Sequence, residues 1–209
     1  MSNYKTEQEN FWAGSFGDTY IERNADDWRM RSSIGLFSEI LSSCIGLNSA
    51  LELGCNIGLN LEALKAIAPG LALSGVEINE NAHRQAQEKA LGEIHLGSIL
   101  EPLELPKADL TFTKTVLIHI NPDELDKVYR NLVELSNRYV LVVEYYNPSP
   151  VSVVYRGNDD RLFKRDFAGE LMDRYGLELL TYGFSYHRDK LFPQDDCTWF
   201  LMEKPVGAR

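Results

Sequence analysis

Apolar residues along the chain follow two alternating spacings, one typical of helices and one typical of buried strands. Residues 27–44 carry apolar side chains three and four positions apart, which predicts an amphipathic helix. From residue 49 onward, short apolar runs alternate with helical segments, and the predicted strands are residues 49–53, 71–78, 93–96, 109–113 and 138–145. Repeated strand–helix units of this kind predict a parallel sheet with helices on both faces.

The pattern changes after Asn147. It predicts a polar connection at residues 148–165, a helix at 166–175, and two closing strands at 177–186 and 198–203. The residues between these two strands show no helical pattern, so the strands must pair antiparallel if they are neighbours. The prediction is an α/β fold with a Rossmann-like, doubly wound sheet of seven strands, mostly parallel, with an antiparallel C-terminal hairpin strand.

Length and composition indicate a single globular domain. The chain has 209 residues, of which 44% are hydrophobic and 25% charged, as in ordinary soluble proteins. No linker rich in Gly, Ser or Pro divides it, so we predict one domain over residues 1–209. Its first 45 residues form a helical lead-in that is rich in aromatic side chains.

The charge balance argues against several classes of partner. Thirty-one acidic and 21 basic residues give a formal charge of -10, which repels nucleic acids and anionic membranes. The chain shows no secretory signal and no apolar run that could span a bilayer. The three cysteines are far apart and the acidic pair Asp195-Asp196 lacks further ligands, so we expect a cytoplasmic protein with no disulfide and no metal site.

Residues 50–60 combine a strand with a glycine turn that opens a helix. Gly54 and Gly58 would allow a ligand to approach the backbone closely. The third glycine of the dinucleotide fingerprint is absent, which disfavours an NAD-dependent oxidoreductase on this fold. Asn56 lies between the two glycines, and Asn is among the residues that most readily adopt a positive φ.

Glu52, Gly54 and Gly58 resemble motif I of the class I S-adenosylmethionine-dependent methyltransferases, with Asn56 in place of the middle glycine. The resemblance implies S-adenosyl-L-methionine as cofactor and S-adenosyl-L-homocysteine as product. It also implies that Glu52 and Gly54 flank the methionine moiety of the cofactor. On this basis residues 46–147 form the cofactor-binding half of the domain, and residues 148–209 form a half that faces the methyl acceptor.

Two further positions match the same family. Glu77, followed by Ile78, ends the second strand where the family has an acid for the ribose, and a carboxylate suits two vicinal hydroxyls because it only accepts hydrogen bonds. Ser98 and Ile99 follow the third strand, where the family often has an Asp that binds the adenine amine. The resemblance implies that these two residues frame the adenine.

The segment after the fourth strand, residues 113–120, is expected to form the wall on the methyl side of the cofactor, and Lys114 within it is a candidate cofactor-binding residue. His119 is a candidate general base because the pKa of histidine lies near neutrality, and the alternative is a structural role beside the next helix. Alignment alone can dominate methyl transfer, so no acid–base pair is required. Tyr146, after the fifth strand, is expected to face the acceptor and is a second catalytic candidate.

Several blocks together make most of the chain similar to the pseudaminic acid biosynthesis-associated methyltransferases. These blocks are residues 9–20, 52–60, 116–122, 144–148, 155–157, 160–169 and 192–196. The resemblance implies a small-molecule acceptor, such as a nonulosonic (pseudaminic) acid or its nucleotide-activated form, methylated at a hydroxyl or amine. We expect Tyr20 and the neighbouring aromatics either to cover the cofactor as a lid or to pack against the sheet.

Four cations follow the fifth strand, at the edge where such sheets bind ligands: Arg156, Arg161, Lys164 and Arg165. Arginine binds carboxylates and phosphates in a bidentate manner, so the loop is a candidate site for an anionic acceptor. The alternative is a solvated loop neutralised by nearby aspartates. A protein that binds the cofactor without catalysis, as a partner of sugar-pathway enzymes, is also compatible with the sequence.

Overall fold

The computed structural model describes residues 4–21, 27–155 and 158–205. Within these ranges the strands are β1 (Ser49–Leu53), β2 (Ala72–Glu77), β3 (Glu93–Leu96), β4 (Ala108–Lys114), β5 (Ser136–Glu144), β6 (Val151–Tyr155), β7 (Asn158–Lys164), β8 (Glu178–Phe184) and β9 (Thr198–Glu203). The α-helices are α1 (Glu7–Ala13), α2 (Ser15–Ile21), α3 (Asp27–Leu41), α4 (Leu59–Ile67), α5 (Glu80–Glu88), α6 (Leu125–Glu134) and α7 (Phe167–Tyr175). Short 3-10 turns occupy Leu117–His119 and Pro122–Glu124.

Seven strands form one sheet in the order β3-β2-β1-β4-β5-β9-β8. Strands β1 to β5 pair in parallel, while β9 pairs antiparallel with both β5 and β8. The fold class predicted from the sequence is confirmed, including the single reversed strand. The strand order reverses direction between β1 and β4, and this is the point where open α/β sheets place a ligand crevice.

The two faces of the sheet bury separate apolar clusters because successive side chains of a strand point to opposite sides. Tyr139, Leu141 and Val143 of β5 pack into the cluster that includes α3 and α4. Val140 and Val142, the residues between them, pack into the cluster that includes α6 and α7. This alternation explains why the fifth strand is an almost uninterrupted apolar run.

Residues 148–165 differ from the polar connection expected from their charges. They contain a separate antiparallel hairpin of β6 and β7, in which Val151 pairs with Lys164 and Val153 with Leu162. Alternating valines supply the strand pattern, and the charged residues of β7 obscured it in the sequence. The hairpin matters for function because β7 packs against the turn at Leu117–His119.

The helix predicted for residues 27–44 ends earlier, at Leu41. The backbone N–H groups of Ser42, Ser43 and Cys44 each donate to a carbonyl three residues earlier, so the chain leaves the helix through a tight turn. None of the helices in the described ranges combines the length and the apolar character that a membrane crossing requires.

Candidate active site

A cleft lies at the carboxyl ends of β1 to β4 and encloses about 1270 Å³, including the part open to solvent. The glycine turn after β1 forms its floor, and α1, α3, the segment after β4 and the β8–β9 connection form its walls.

The floor of the cleft is a turn with three residues in the left-handed conformation. Gly54, Asn56 and Gly58 have φ angles of +82°, +47° and +76°. A Cβ on Gly54 would lie 2.7 Å from a methyl carbon of Val116, which is far too close. The turn therefore needs glycine at Gly54 for two reasons. Asn56 adopts a positive φ, which Asn tolerates more readily than most residues.

Glu77 lies at the end of β2 with its carboxylate buried beside this turn. One carboxylate oxygen accepts from the backbone N–H of Asn56 at 2.7 Å, and the other accepts from that of Asn79 at 2.8 Å. Burial raises the pKa of Glu77, although these backbone donors oppose the shift. Each oxygen has two lone pairs, so the oriented carboxylate still has acceptor capacity toward the cleft.

Glu52 lies beneath the floor of the cleft, whereas the sequence suggested that it would contact the methionine moiety. Its side chain is fully buried and does not line the cleft. One oxygen accepts from the side-chain amide of Asn60 at 2.6 Å, and the other has no hydrogen-bond partner among the described residues. Burial raises the pKa of Glu52 to about 8. Asn60, which does line the cleft, connects this carboxylate to the site.

The N-terminal helix α1 covers the end of the cleft next to β3. Ser98 and Ile99 line this end, as predicted, and the hydroxyl of Ser98 donates to the carboxylate of Glu9 at 2.5 Å. The hydroxyl of Tyr4, just before the helix, donates to the backbone carbonyl of Ile78 at 3.2 Å. Polar contacts therefore fasten α1 to the strand ends that the sequence assigned to the ribose and the adenine.

Aromatic side chains of the lead-in extend this cover toward the loop after β4. The ring of Trp12 lies 4.7 Å from the imidazole of His119, centroid to centroid, and 5.2 Å from the ring of Tyr20. All three side chains line the cleft. The structure thus brings together His119 and Tyr20, which the sequence had proposed for separate roles.

Glu144, at the end of β5, holds the turn that carries His119. One oxygen of its buried carboxylate accepts from the backbone N–H groups of Val116 and Leu117, both at 3.0 Å. The other oxygen accepts from the N–H of Ile118 at 3.4 Å. Burial raises the pKa of Glu144 to about 7 despite these donors.

Lys114 and Thr115 connect β4 to this turn and line the cleft. Thr115 has a φ of +56°, which is unusual for a β-branched residue. Its backbone N–H donates to the carbonyl of Val143 at 2.9 Å, and its hydroxyl donates to the carbonyl of Lys114 at 2.8 Å. These bonds hold a strained residue at the site, a placement that often accompanies function.

Two residues from distant parts of the chain, Arg29 and Gln194, line the same cleft as Lys114. The Nε atom of Arg29, on α3, and the Nε2 atom of Gln194, in the β8–β9 connection, are buried and have no hydrogen-bond partner among the described residues. Buried polar atoms are normally satisfied, so unpaired donors on residues that line a cleft suggest an anionic or carbonyl ligand. In the described ranges, no group of three or more His, Cys, Asp or Glu residues is close enough to hold a metal ion.

Comparison with solved structures gives the fold a name, although no family model and no curated protein matches the chain. The magnesium protoporphyrin IX methyltransferase of Synechocystis PCC 6803, solved with S-adenosylmethionine bound, superposes with a TM-score of 0.69 at 14% identity, covering 98% of this chain and 100% of that one. The fold is that of the S-adenosylmethionine-dependent methyltransferases.

Two other structures agree on this methyltransferase fold. An S-adenosylmethionine-dependent methyltransferase from Clostridium acetobutylicum ATCC 824 has a TM-score of 0.65 at 13% identity, covering 90% of this chain and 97% of that one. The sugar N-methyltransferase KedS8 from Streptoalloteichus sp. ATCC 53650 has a TM-score of 0.64 at 13% identity, covering 98% and 96%. At such low identity the likeness establishes the fold alone.

The cleft of this methyltransferase fold does not include all residues that the sequence proposed for the acceptor. Tyr146 is 42% exposed, and its ring lies 5.8 Å from that of Phe200, outside the cleft. The ammonium of Lys164 lies 5.1 Å from the ring centre of Tyr145. Arg165 forms an ion pair with Glu170 at 3.0 Å. Arg156 lies outside the described residues, as does the side chain of Arg161.

Sequence reasoning missed cleft residues that belong to elements far from the motifs. They are Glu9 and Trp12 on α1, Arg29 on α3, Asn60 on α4 and Gln194 before β9. The aromatic lead-in was a signal for Trp12, and the block 192–196 was a signal for Gln194. Glu9 and Asn60 lie in the blocks 9–20 and 52–60, whereas Arg29 carried no such signal because single polar residues on helices are usually solvated.

Proposed function

We propose that this protein is an S-adenosylmethionine-dependent methyltransferase that acts on a small-molecule acceptor. The observation that carries the proposal is a single cleft, at the switch point of a methyltransferase fold, that unites the Gly54–Gly58 turn, Glu77 and Ser98. Ligands of open α/β sheets bind at this position. The bound cofactor would supply an activated methyl group, and the residues of the chain would hold and orient it.

The residues present fit such a cofactor along the whole cleft. The carboxylate of Glu77, oriented by two backbone donors, has acceptor capacity for two ribose hydroxyls. Ser98 and Ile99 would frame the adenine. A side chain on Gly54 would collide with Val116, so glycine is needed for the turn to pack against the segment after β4 at the floor of the cleft.

The opposite end of the cleft fits an amino acid moiety. The side chains of Arg29, Gln194 and Lys114, which line the cleft, would donate hydrogen bonds to the methionine carboxylate. The amide of Asn60, held by the buried Glu52, would orient the neighbouring polar groups. Glu52 thus acts beneath the methionine moiety rather than in contact with it.

Catalysis would rest mainly on aligning the acceptor with the methyl group of the cofactor and on excluding water from the site. The imidazole of His119, packed against Trp12, faces the cleft and is our candidate for the group that removes a proton from the acceptor. Trp12 and Tyr20 would close the site from above. A lid of this kind strengthens electrostatic interactions within the site because water is excluded.

For the acceptor we propose an anionic sugar acid of the nonulosonic class, or its nucleotide-activated form. The resemblance of blocks 9–20, 155–157, 160–169 and 192–196 to the pseudaminic acid-associated methyltransferases supports it. The hairpin of β6 and β7, which contains Arg161, packs against the turn that carries His119. Arg161 would therefore belong to the acceptor side of the site, whereas Lys164 and Arg165 have partners within the protein.

Calorimetric titration with S-adenosylhomocysteine tests the cofactor assignment. We expect micromolar binding by the wild type and a loss of ~30-fold or more in Glu77→Gln, since each hydrogen bond to a charged group contributes ~1.5–3 kcal/mol. Glu80→Gln, which changes an exposed acid three residues later, should bind like the wild type. Binding of NAD in place of S-adenosylhomocysteine would overturn the assignment.

Turnover then separates an enzyme from a protein that only binds the cofactor. The purified protein is incubated with S-adenosylmethionine and a nucleotide-activated nonulosonic acid, and formation of S-adenosylhomocysteine and of a methylated product is followed by mass spectrometry. We expect both products. Cofactor binding without transfer to this acceptor or to its free sugar acid would contradict the proposed acceptor class.

A further inference from the structure

The carboxylate of Glu9 is the least expected group in the cleft. It comes from α1, it is only 6% exposed, and it lines the cleft next to Ser98. Its Oε1 atom accepts from the hydroxyl of Ser98 at 2.5 Å. Its Oε2 atom accepts from the backbone N–H and the hydroxyl of Thr6, at 2.8 and 3.0 Å, in a capping box.

These bonds leave acceptor capacity on one oxygen. A carboxylate oxygen accepts about two hydrogen bonds, so Oε2 is filled, while Oε1 has a single donor among the described residues. No Lys or Arg of the described ranges forms an ion pair with Glu9. A buried carboxylate with an open lone pair favours a ligand that brings its own donor.

Ser98, like Glu9, offers a hydrogen-bond acceptor to the cleft. Its hydroxyl hydrogen is donated to Glu9, and its oxygen accepts from the backbone N–H of Leu100 at 3.0 Å. The remaining lone pair of the serine can only accept. This end of the cleft therefore offers acceptors from two side chains, beside the apolar side chains of Ile99 and Leu100.

We infer that Glu9, together with Ser98, reads the 6-amino group of adenine, an inference that rests on the proposed function. An amino group donates two hydrogens and matches two acceptors, whereas a 6-keto group would place its oxygen against their lone pairs. The carboxylate comes from the N-terminal helix α1. Binding of the base would therefore also hold α1 against the segment that follows β3.

Binding of S-adenosylhomocysteine is compared with binding of S-inosylhomocysteine, which has a keto group at position 6. The wild type should prefer the adenosyl ligand by on the order of 100-fold, since a site built for one hydrogen-bond pattern rejects the other. Glu9→Gln keeps the capping box, in which Gln is an accepted partner, but replaces one acceptor oxygen by a donor. Its preference should fall to within about threefold, a loss of ~2 kcal/mol of discrimination.

Thr6→Ala is the matched control, because it removes the hydroxyl of the capping box and leaves the Glu9 carboxylate in place. We expect both ligands to weaken by the same factor, with the preference retained. An equal effect of Glu9→Gln on both ligands would show that Glu9 is only a helix cap and would overturn the inference. Circular dichroism of each variant verifies that it is folded.

The wild type alone provides a test that needs no variant. If it binds S-adenosylhomocysteine but binds S-inosylhomocysteine equally well, the inference fails while the proposed function stands. If it binds neither ligand, the proposed function fails first.

Ser98→Ala serves as a second variant. Its preference for S-adenosylhomocysteine over S-inosylhomocysteine should fall, as in Glu9→Gln.

Discussion

Asn56 shows, at the scale of single residues, what the glycine turn requires. The related motif has glycine at this position, yet the backbone N–H of Asn56 still donates to Glu77 at 2.7 Å with φ at +47°. The turn requires a left-handed residue with an available N–H, and asparagine meets both conditions at little cost. The missing glycine is therefore compatible with the oriented carboxylate of Glu77.

Gly54 faces a stricter requirement, because both its φ and its surroundings exclude a side chain. Gly54→Ala should lower the free energy of unfolding by ~2–4 kcal/mol, from left-handed strain and a clash with Val116. Gly46→Ala isolates the strain, since Gly46 has a φ of +71° and nothing within 4 Å of a new Cβ; we expect a loss of ~1 kcal/mol. Urea unfolding measures both, and equal losses would contradict the role of the contact.

At the scale of elements, the end of β5 determines the shape of the segment after β4. Glu144 accepts three consecutive backbone N–H groups of the turn that starts at Val116. The same turn places Val116 against Gly54 and His119 against Trp12. One buried carboxylate thus fixes two walls of the cleft.

Glu144→Ala removes this acceptor and leaves buried N–H groups without a partner. Because each such group costs ~1–3 kcal/mol, we expect the free energy of unfolding to fall by ~3 kcal/mol or more. The rate of methyl transfer should fall further than the affinity for S-adenosylhomocysteine, since His119 moves while Glu77 does not. Urea unfolding and calorimetry are compared with Glu134→Ala, an exposed acid at the end of α6, which should behave like the wild type.

At the scale of the whole molecule, buried acids make stability depend on pH. Burial raises the pKa of Glu52 to about 8 and that of Glu144 to about 7, from an ordinary value of 4.5. Between pH 4.5 and these values the folded state binds more protons than the unfolded state. The stabilisation is thus complete below pH 4.5 and is lost as the pH rises through 7 to 8.

The free energy of unfolding should therefore decline from pH 5 to pH 9, with each acid contributing on the order of 3 kcal/mol. Glu52→Gln, which stays neutral, should flatten the upper part of this decline. Denaturant unfolding at a series of pH values measures it. A stability that is constant or rises over this range would mean that both carboxylates are ionised well below neutral pH in the folded protein.

The sequence by itself determined the sheet and the part of the site that follows its strands. The strand periodicity is local, so the seven strands and the reversal of β9 could be predicted without any contact. Residues directly after parallel strands meet at one sheet edge, so the positions of Gly54, Glu77 and Ser98 followed from the order of the elements.

Only the tertiary structure decided which distant side chains complete the site. Glu9 and Ser98 are 89 residues apart, and no spacing rule connects a residue on a helix to one after a strand. For the same reason the number of charges after β5 does not tell where each side chain points: Arg165 pairs with Glu170 and does not line the cleft. Periodicity is a property of neighbours along the chain, whereas a binding site depends on packing between elements that are remote in sequence.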